Sequence, residues 1–306
     1  MKILIELPSW LGDCVMATPA VESLVGLYPD VQIVFVGSTV SVEAVKQHPN
    51  TVGVLVLDKS YLKLRKTAKA LGVFDLFFSF RSSKRSSVFK FFVSAKHKYQ
   101  FDKNLYQTGH QVEKYVQFIS DSLNTKLTPS LLTLYTEKLT NKYPVLGINP
   151  GASYGSAKRW YPQEFAKVAA QLSDRYNIVI FGGPNEQDIA NDIEQELIKN
   201  QIDNYQNLAG KTTISELIKQ ISGLDLFITG DSGPMHVAAA FQVPTVAIFG
   251  PTKDDETSQW MNKKSLIVKQ DLECQPCMKR VCPLKHHNCM KSILAEDVLK
   301  EVNLLI

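Results

Sequence analysis

Residues 230–236 read Gly-Asp-Ser-Gly-Pro-Met-His, and a serine among small residues with a histidine four positions on raises two chemistries. A nucleophilic Ser232 needs a base within hydrogen-bond reach and an oxyanion hole. His236 falls in the first turn of any helix starting near Gly233, and the Gly-x-Ser-x-Gly spacing of a nucleophile elbow is missing. The second chemistry is anion binding. Asp231 or Ser232 caps a helix beginning near Pro234, Gly233 lets a ligand approach the backbone, and the first N–H groups and the dipole favour a phosphate. An ordinary capped helix would use the same residues. A second group, Cys274-x2-Cys277-x4-Cys282-x6-Cys289 with His286 and His287 inside it, offers the ligand types of a structural tetrahedral metal site. Its spacing is tighter than two CxxC pairs separated by about 12–20 residues, so reduced packed thiols or a redox-formed disulfide are the alternatives.

These residues need elements to position them. Short runs rich in Val, Ile and Phe (KILIEL, QIVFVG, VGVLVL, FDLFFSF) alternate with helical patterns, the signature of a parallel sheet covered on both faces. The rhythm lapses over the polar stretch 124–143 and restarts with VLGINPG, NIVIFGGP, LDLFITGDSG and VPTVAIFGP. The expectation is an α/β protein of two Rossmann-like domains, 1–143 and 144–306, with the last helix a candidate to pack back on the first. In open α/β sheets ligands sit beyond the carboxyl ends of strands. The turn-rich segments 8–13, 149–158, 182–186, 230–236 and 250–254 all lie at such ends, so an inter-domain cleft is expected.

Bulk properties narrow the classes. The 306 residues are 44% hydrophobic and 21% charged, ordinary for a globular chain. No apolar run reaches the roughly 18 residues of a membrane span, and the N-terminus enters a strand without a signal-peptide pattern, so a cytoplasmic protein is expected. Five cysteines in a reducing compartment argue against a disulfide framework. The net charge of +4 is uneven: residues 59–103 carry twelve Lys or Arg against two acids. That stretch points to a local anionic partner. Aromatic interleaving there is too common to indicate nucleic acid, and no nucleic-acid partner is expected. A dinucleotide-dependent oxidoreductase is disfavoured, because PSWLGD carries no Gly-x-Gly-x-x-Gly after the first strand.

Five ordered motifs, PSWLGD (8–13), NPGASYGSAKRW (149–160), FGGPNE (181–186), NLAGKTT (207–213) and GDSGPMHVAAA (230–240), resemble those of the bacterial lipopolysaccharide heptosyltransferases, glycosyltransferase family 9. The likeness spans essentially the whole chain. PGASYGSAKRW and CQPCMKRVCPLKHHNC are most similar to the heptosyltransferase II branch. The resemblance implies a GT-B fold, with an N-terminal acceptor domain and a C-terminal nucleotide-sugar domain. It implies inverting, metal-independent transfer of L-glycero-D-manno-heptose from ADP-heptose to heptose I of the inner core. The acceptor would be a lipid A-core oligosaccharide at the cytoplasmic face of the inner membrane, and no cofactor is needed. Heptosyltransferase I action on Kdo-lipid A, or a non-catalytic nucleotide-sugar or glycan-binding module, are the alternatives.

Single displacement needs a base for the acceptor hydroxyl and positive charge for the departing diphosphate. Asp13, on the loop between the first strand and helix, matches the family's proposed base; a helix start favours its ionised form, and a plain N-cap is the simpler reading. Lys158 matches the phosphate-contacting lysine, an ammonium suited to that task, and Ser153 adds a hydroxyl. Glu186 aligns with the acid that holds the ribose hydroxyls, and Thr212 with a residue lining the adenine pocket. Asp231, Ser232, Gly233 and His236 complete the diphosphate site, although His236 also suits a core position. Arg81, Lys84 and Arg85 follow a strand and are placed to meet an anionic acceptor, while His110 and Glu113 resemble an acceptor-side motif. Phe89, Phe91 and Phe92 read as core, with a membrane-facing patch as the alternative. Each basic residue near an anionic leaflet is worth about 1 kcal/mol, so peripheral membrane contact is expected.

Overall fold

Near-continuous apolar runs form the central strands, because a strand covered on both faces by helices has no solvent side for polar residues. A computed structural model describes residues 1–306. Two compact units result, Met1–Thr136 and Glu137–Ile306. The division falls inside the polar stretch read as the connection.

Unit 1 runs β1 (Lys2–Glu6), α1 (Leu11–Met16), α2 (Thr18–Leu27), β2 (Gln32–Gly37), α3 (Thr39–Val45), β3 (Thr51–Val56), α4 (Tyr61–Ala70), β4 (Val73–Ser79), α5 (Lys84–Phe92), β5 (Ser94–Gln100) and α6 (Gln111–Leu123). Its five strands lie in the order β3-β2-β1-β4-β5, all parallel. The order reverses between β1 and β4, where Glu6 pairs with Ser79. Leu4, Val36, Phe74, Phe77 and Phe89 are among the residues packed in one core cluster; each such buried side chain contributes about 1.5–3 kcal/mol. Residues 124–136 form no helix or strand but are tied down. Leu132 and Leu134 are buried, Thr133 N–H donates to Thr18 Oγ1 (3.0 Å), and Tyr135 hydroxyl donates to Glu22 (3.1 Å).

Unit 2 runs β6 (Val145–Asn149), α7 (Pro162–Leu172), β7 (Asn177–Ile180), α8 (Gln187–Lys199), β8 (Tyr205–Asn207), α9 (Ile214–Ser222), β9 (Leu226–Gly230), α10 (Gly233–Ala240), β10 (Thr245–Phe249), α11 (Asp254–Thr257), β11 (Ser265–Lys269), α12 (Asn288–Lys291) and α13 (Ala295–Leu305). The six strands lie in the order β11-β10-β9-β6-β7-β8, again all parallel. Reversal occurs between β6 and β9, so the loops leaving those strands are neighbours, the place where such sheets bind ligands. Trp160 is fully buried among Phe165, Ile148 and Met290, and its indole N–H donates to Ile293 O (2.9 Å). The buried stripe of α13 (Ala295, Val298, Leu299, Val302) joins this unit's own core. No helix is long and apolar enough to cross a membrane.

Candidate active site

At the reversal point of unit 2, the β6 and β9 loops meet through named side chains. Asn149 closes β6, and its amide donates to Ser232 Oγ (3.1 Å) and Thr229 Oγ1 (3.4 Å). Lys158, in the 3-10 turn Ser156–Lys158, holds its Nζ 2.5 Å from Asp231 Oδ2 and donates to Asp231 O at 3.2 Å. Thr252, just beyond β10, donates its hydroxyl to the same carboxylate oxygen at 2.5 Å. The pair is largely withdrawn from water, at 12% exposure for the Lys158 side chain and 6% for Asp231. Lys158 also stands 4.9 Å over the Tyr154 ring, a cation–π contact that keeps the ammonium aimed across the loop.

This geometry corrects the capping expected from sequence. Ser232 occupies the N-cap position of α10 in extended backbone, yet no side chain caps the helix. The reason is competition: Ser232 Oγ is engaged by Asn149 and Thr229, and the Asp231 carboxylate by Lys158 and Thr252. With Pro234 in the first turn, the helix start is left without a side-chain cap on its positive end. Ser232's partners Asn149 and Thr229 are not bases, which removes the nucleophile chemistry. Asp231 acts on the lysine, holding its ammonium in place. His236 is buried in α10.

Glu186 stands at the N-cap of α8 and is buried. Its carboxylate accepts from Gly183 N–H (2.7 Å) and from Ser153 hydroxyl (3.3 Å), joining the β6 and β7 loops. A Cβ on Gly151 would fall on that carboxylate, so a larger residue there would have to push the Glu186 side chain aside. The β8 loop is tied in turn to the β7 loop by Gly210 N–H to Gly182 O (2.9 Å). Thr212 lies half-buried in that loop, and Thr213 caps α9 in a capping box with Glu216. Ser153, Lys158, Glu186, Asp231 and Ser232 thus form one connected edge, with Thr212 on the adjoining loop.

In unit 1, Asp13 is found in the first turn of α1, one step beyond the loop position expected. It lies close enough to Tyr115 of α6 that its charge, after burial, helps push that phenol well above its ordinary value. Arg81 follows β4 with Nη1 3.8 Å from Glu6 Oε1. Glu6 is fully buried and accepts from Ser79 (2.6 Å) and Ser86 (3.0 Å) hydroxyls; burial raises its pKa against the lowering by Ser79, Arg81 and Ser86. Lys84 and Arg85 occupy the first turn of α5, a placement unfavourable to the helix dipole. Arg85 donates to Asp58 O. His110 is the N-cap of α6: its Nδ1 accepts from Val112 N–H (3.2 Å), and Glu113 accepts from His110 N–H (2.8 Å). Both therefore perform a capping task. The three phenylalanines divide: Phe89 is buried, Phe92 is half-buried and Phe91 is 76% exposed.

The strap between β11 and α12 carries the cysteine group, all free thiols. It braces the loops just described. Met278 N–H donates to Pro251 O (2.8 Å), Gln275 to Gly250 O (2.7 Å), Tyr154 hydroxyl to Met278 O (2.8 Å) and Ala157 N–H to Arg280 O (3.1 Å). Backbone N–H groups, His287 first, hold the Cys282 thiol below its ordinary value, while burial and the neighbouring cysteines push Cys289 up to about 11.

The model of glycosyltransferase family 9 (heptosyltransferase) matches residues 77–288. The chain belongs to glycosyltransferase family 9. Lipooligosaccharide heptosyltransferase 2 of Campylobacter jejuni serotype O:2 is 45% identical over 315 residues, covering 100% of this chain and 98% of that protein. Lipopolysaccharide heptosyltransferase 2 of Escherichia coli K12 is 28% identical over 100% of this chain and 99% of its own length. The solved E. coli ADP-heptose LPS heptosyltransferase II superposes with TM-score 0.83 at 24% identity, covering 100% of this chain and 98% of that one. This family 9 glycosyltransferase thus has the two parallel-sheet α/β units of GT-B enzymes. Sequence reasoning missed Asn149, Thr252 and Glu6. Each is a polar residue at or just past the end of an apolar strand run, and that was the available signal. Trp10, next to the first helix and 54% exposed, was passed over as part of a motif.

Proposed function

We propose that this family 9 enzyme is a heptosyltransferase II, moving L-glycero-D-manno-heptose from ADP-heptose to heptose I of the lipopolysaccharide inner core with inversion. The observation that carries the reading is the connected edge at the β6/β9 reversal. There a withdrawn lysine, an uncapped helix start and a buried carboxylate lie on consecutive strand-end loops. The full-length kinship at 45% identity with a heptosyltransferase 2 supports the choice of sugar and acceptor.

In this reading, unit 2 holds the donor. Lys158 and the α10 amides take the diphosphate, Gly233 allows its close approach and His236 flanks it from the first turn. Glu186 accepts from the ribose hydroxyls, Ser153 adds a donor, and Thr212 borders the adenine. Unit 1 meets the acceptor, with Arg81, Lys84, Arg85 and His110 toward its phosphate and sugar-acid groups. Asp13 takes the proton from the attacking hydroxyl, that oxygen bonds to the anomeric carbon, and the bond from carbon to the β-phosphate oxygen breaks. ADP leaves carrying the electron pair. Its developing charge is met by the ammonium and the helix dipole, which makes a catalytic metal unnecessary to the scheme. Leu62 (80% exposed) and Phe91, on helices α4 and α5 rich in Lys and Arg, supply apolar contacts for an anionic membrane surface.

The test is ADP release from ADP-heptose with core acceptors bearing no heptose or one heptose. Turnover is expected with the one-heptose acceptor alone. Turnover with the heptoseless acceptor would make the enzyme a heptosyltransferase I. Calorimetric binding of ADP-heptose without product from either acceptor would leave only a binding module.

A further inference from the structure

The cysteine strap has chemistry that sugar transfer does not use. Cys274, Cys277, Cys282 and Cys289, scattered over sixteen residues, line one cavity of about 20 Å³ together with His286. A space of that size holds a single atom or ion. Four cysteines lining a volume of that size offer a soft, all-sulfur ligand set once their thiols turn inward.

The strap turns through left-handed residues at Met278 (φ 54°), Lys285 (φ 60°) and His287 (φ 53°). Non-glycine residues in that region persist only where their surroundings over-determine them; here, besides the short α12, those surroundings are the hydrogen bonds to the loops at 154–157 and 250–251.

The histidines are engaged elsewhere. His287 Nε2 faces Ala157 O (3.0 Å) and its Nδ1 faces Tyr161 hydroxyl (3.3 Å), while His286 Nδ1 accepts from Asn288 N–H (3.0 Å). His287 therefore has both ring nitrogens occupied, and the four sulfurs, all on the cavity wall, form the proposed ligand set. No three side chains stand in a ready coordination shell, so binding includes rotation of thiols about their Cα–Cβ bonds into the cavity they already line.

We propose that Cys274, Cys277, Cys282 and Cys289 bind one zinc or ferrous ion as a structural tetrathiolate site that locks the strap against the loops at 154–160 and 250–252. Binding releases thiol protons and involves no redox step. Through Arg280 O, Met278 and His287, the ion then stiffens the turn that carries Lys158. That this turn holds a nucleotide rests on the function proposed above. The metal binding does not.

The experiment uses the full chain purified without a histidine tag, under anaerobic reducing conditions. Elemental analysis is expected to find close to one zinc or iron per chain. The stripped, reduced chain titrated with Co²⁺ should develop sulfur-to-cobalt charge-transfer bands and tetrahedral d–d bands that saturate at one equivalent and disappear on adding Zn²⁺. Cys277→Ser and Cys289→Ser should each weaken Zn²⁺ binding by more than the roughly tenfold that loss of an outer-shell partner costs. Absence of stoichiometric metal together with no thiolate–cobalt spectrum would overturn the proposal, as would a disulfide among the four cysteines in protein isolated this way. The cobalt arm needs no variant, so a poorly folding mutant leaves the test intact. Stripping should also weaken ADP binding severalfold, with recovery on adding Zn²⁺. Metal binding with unchanged ADP affinity overturns the locking of the loops, and a metal-loaded chain that never binds ADP refutes the donor-site reading alone.

Discussion

Lys158 performs two tasks, and they separate by mutation. Its ammonium sits 2.5 Å from the Asp231 carboxylate, with the side chains only 12% and 6% exposed. In Lys158→Met the carboxylate stays desolvated with the Thr252 hydroxyl as its other polar partner (2.5 Å). Breaking a buried pair from one side costs about 3–5 kcal/mol. The residual exposure of Lys158 and the Thr252 hydrogen bond put this case near the lower end, about 3 kcal/mol. For a unit the size of Glu137–Ile306, each kcal/mol lowers Tm by about 2–4 °C, so a fall of about 6–12 °C is expected. Adding Asp231→Asn removes the stranded charge and retains an acceptor for Thr252, so most of that loss should return. Turnover should not return, because the diphosphate still lacks its cation, a loss of about 10²–10³ in kcat. Calorimetric melting and ADP-release kinetics on the parent, both single variants and the double variant read these effects independently. A Lys158→Met protein that melts with the parent would refute the buried pair. A double variant with parental turnover would refute the phosphate role.

Asp13→Asn should lower kcat by about 10²–10⁴, the usual contribution of a general base, while melting and calorimetric ADP affinity stay at parental values; near-normal turnover would remove Asp13 as the base. Burial holds the Glu6 carboxyl above its ordinary value in the folded state, so the folded chain binds this proton more tightly than the unfolded one. The associated stability is full below about pH 4.5 and falls as pH rises through the folded-state value. In urea titrations across that window, Glu6→Gln should therefore gain on the parent as pH increases, and parallel curves would show that Glu6 is not desolvated. Replacing Leu62 and Phe91 together with serine should reduce flotation with anionic vesicles and leave ADP affinity unchanged; undiminished flotation would place membrane contact elsewhere.

Legibility from sequence followed burial. The runs that announced themselves include every central strand: β1, β2, β4, β6, β7, β9 and β10, each needing apolar residues on both faces. The strands that went unread, β5 (SAKHKYQ), β8 (YQN) and β11 (SLIVK), all lie at sheet edges. An edge strand has solvent beside it and tolerates lysine, glutamine and brevity. The edge strand β3 was legible because it keeps an apolar composition, although Val52, Val54 and Val56 are exposed. Helix capping misled for a related reason. Local sequence offers Asp231 or Ser232 as the cap for α10, but both side chains were claimed by residues brought in from other strands.

By itself the sequence determined the two α/β units, the strand-end loops that carry the chemistry and the family, because apolar rhythm and turn residues act over a few positions. Tertiary structure decided which polar groups meet. Lys158 finds Asp231 and Glu6 finds Ser79 across 73 residues in each case, and four cysteines come to line one cavity. The first two meetings depend on β6 lying beside β9 and β1 beside β4. Strand order is settled by how the whole sheet buries its faces, and no local pattern encodes it.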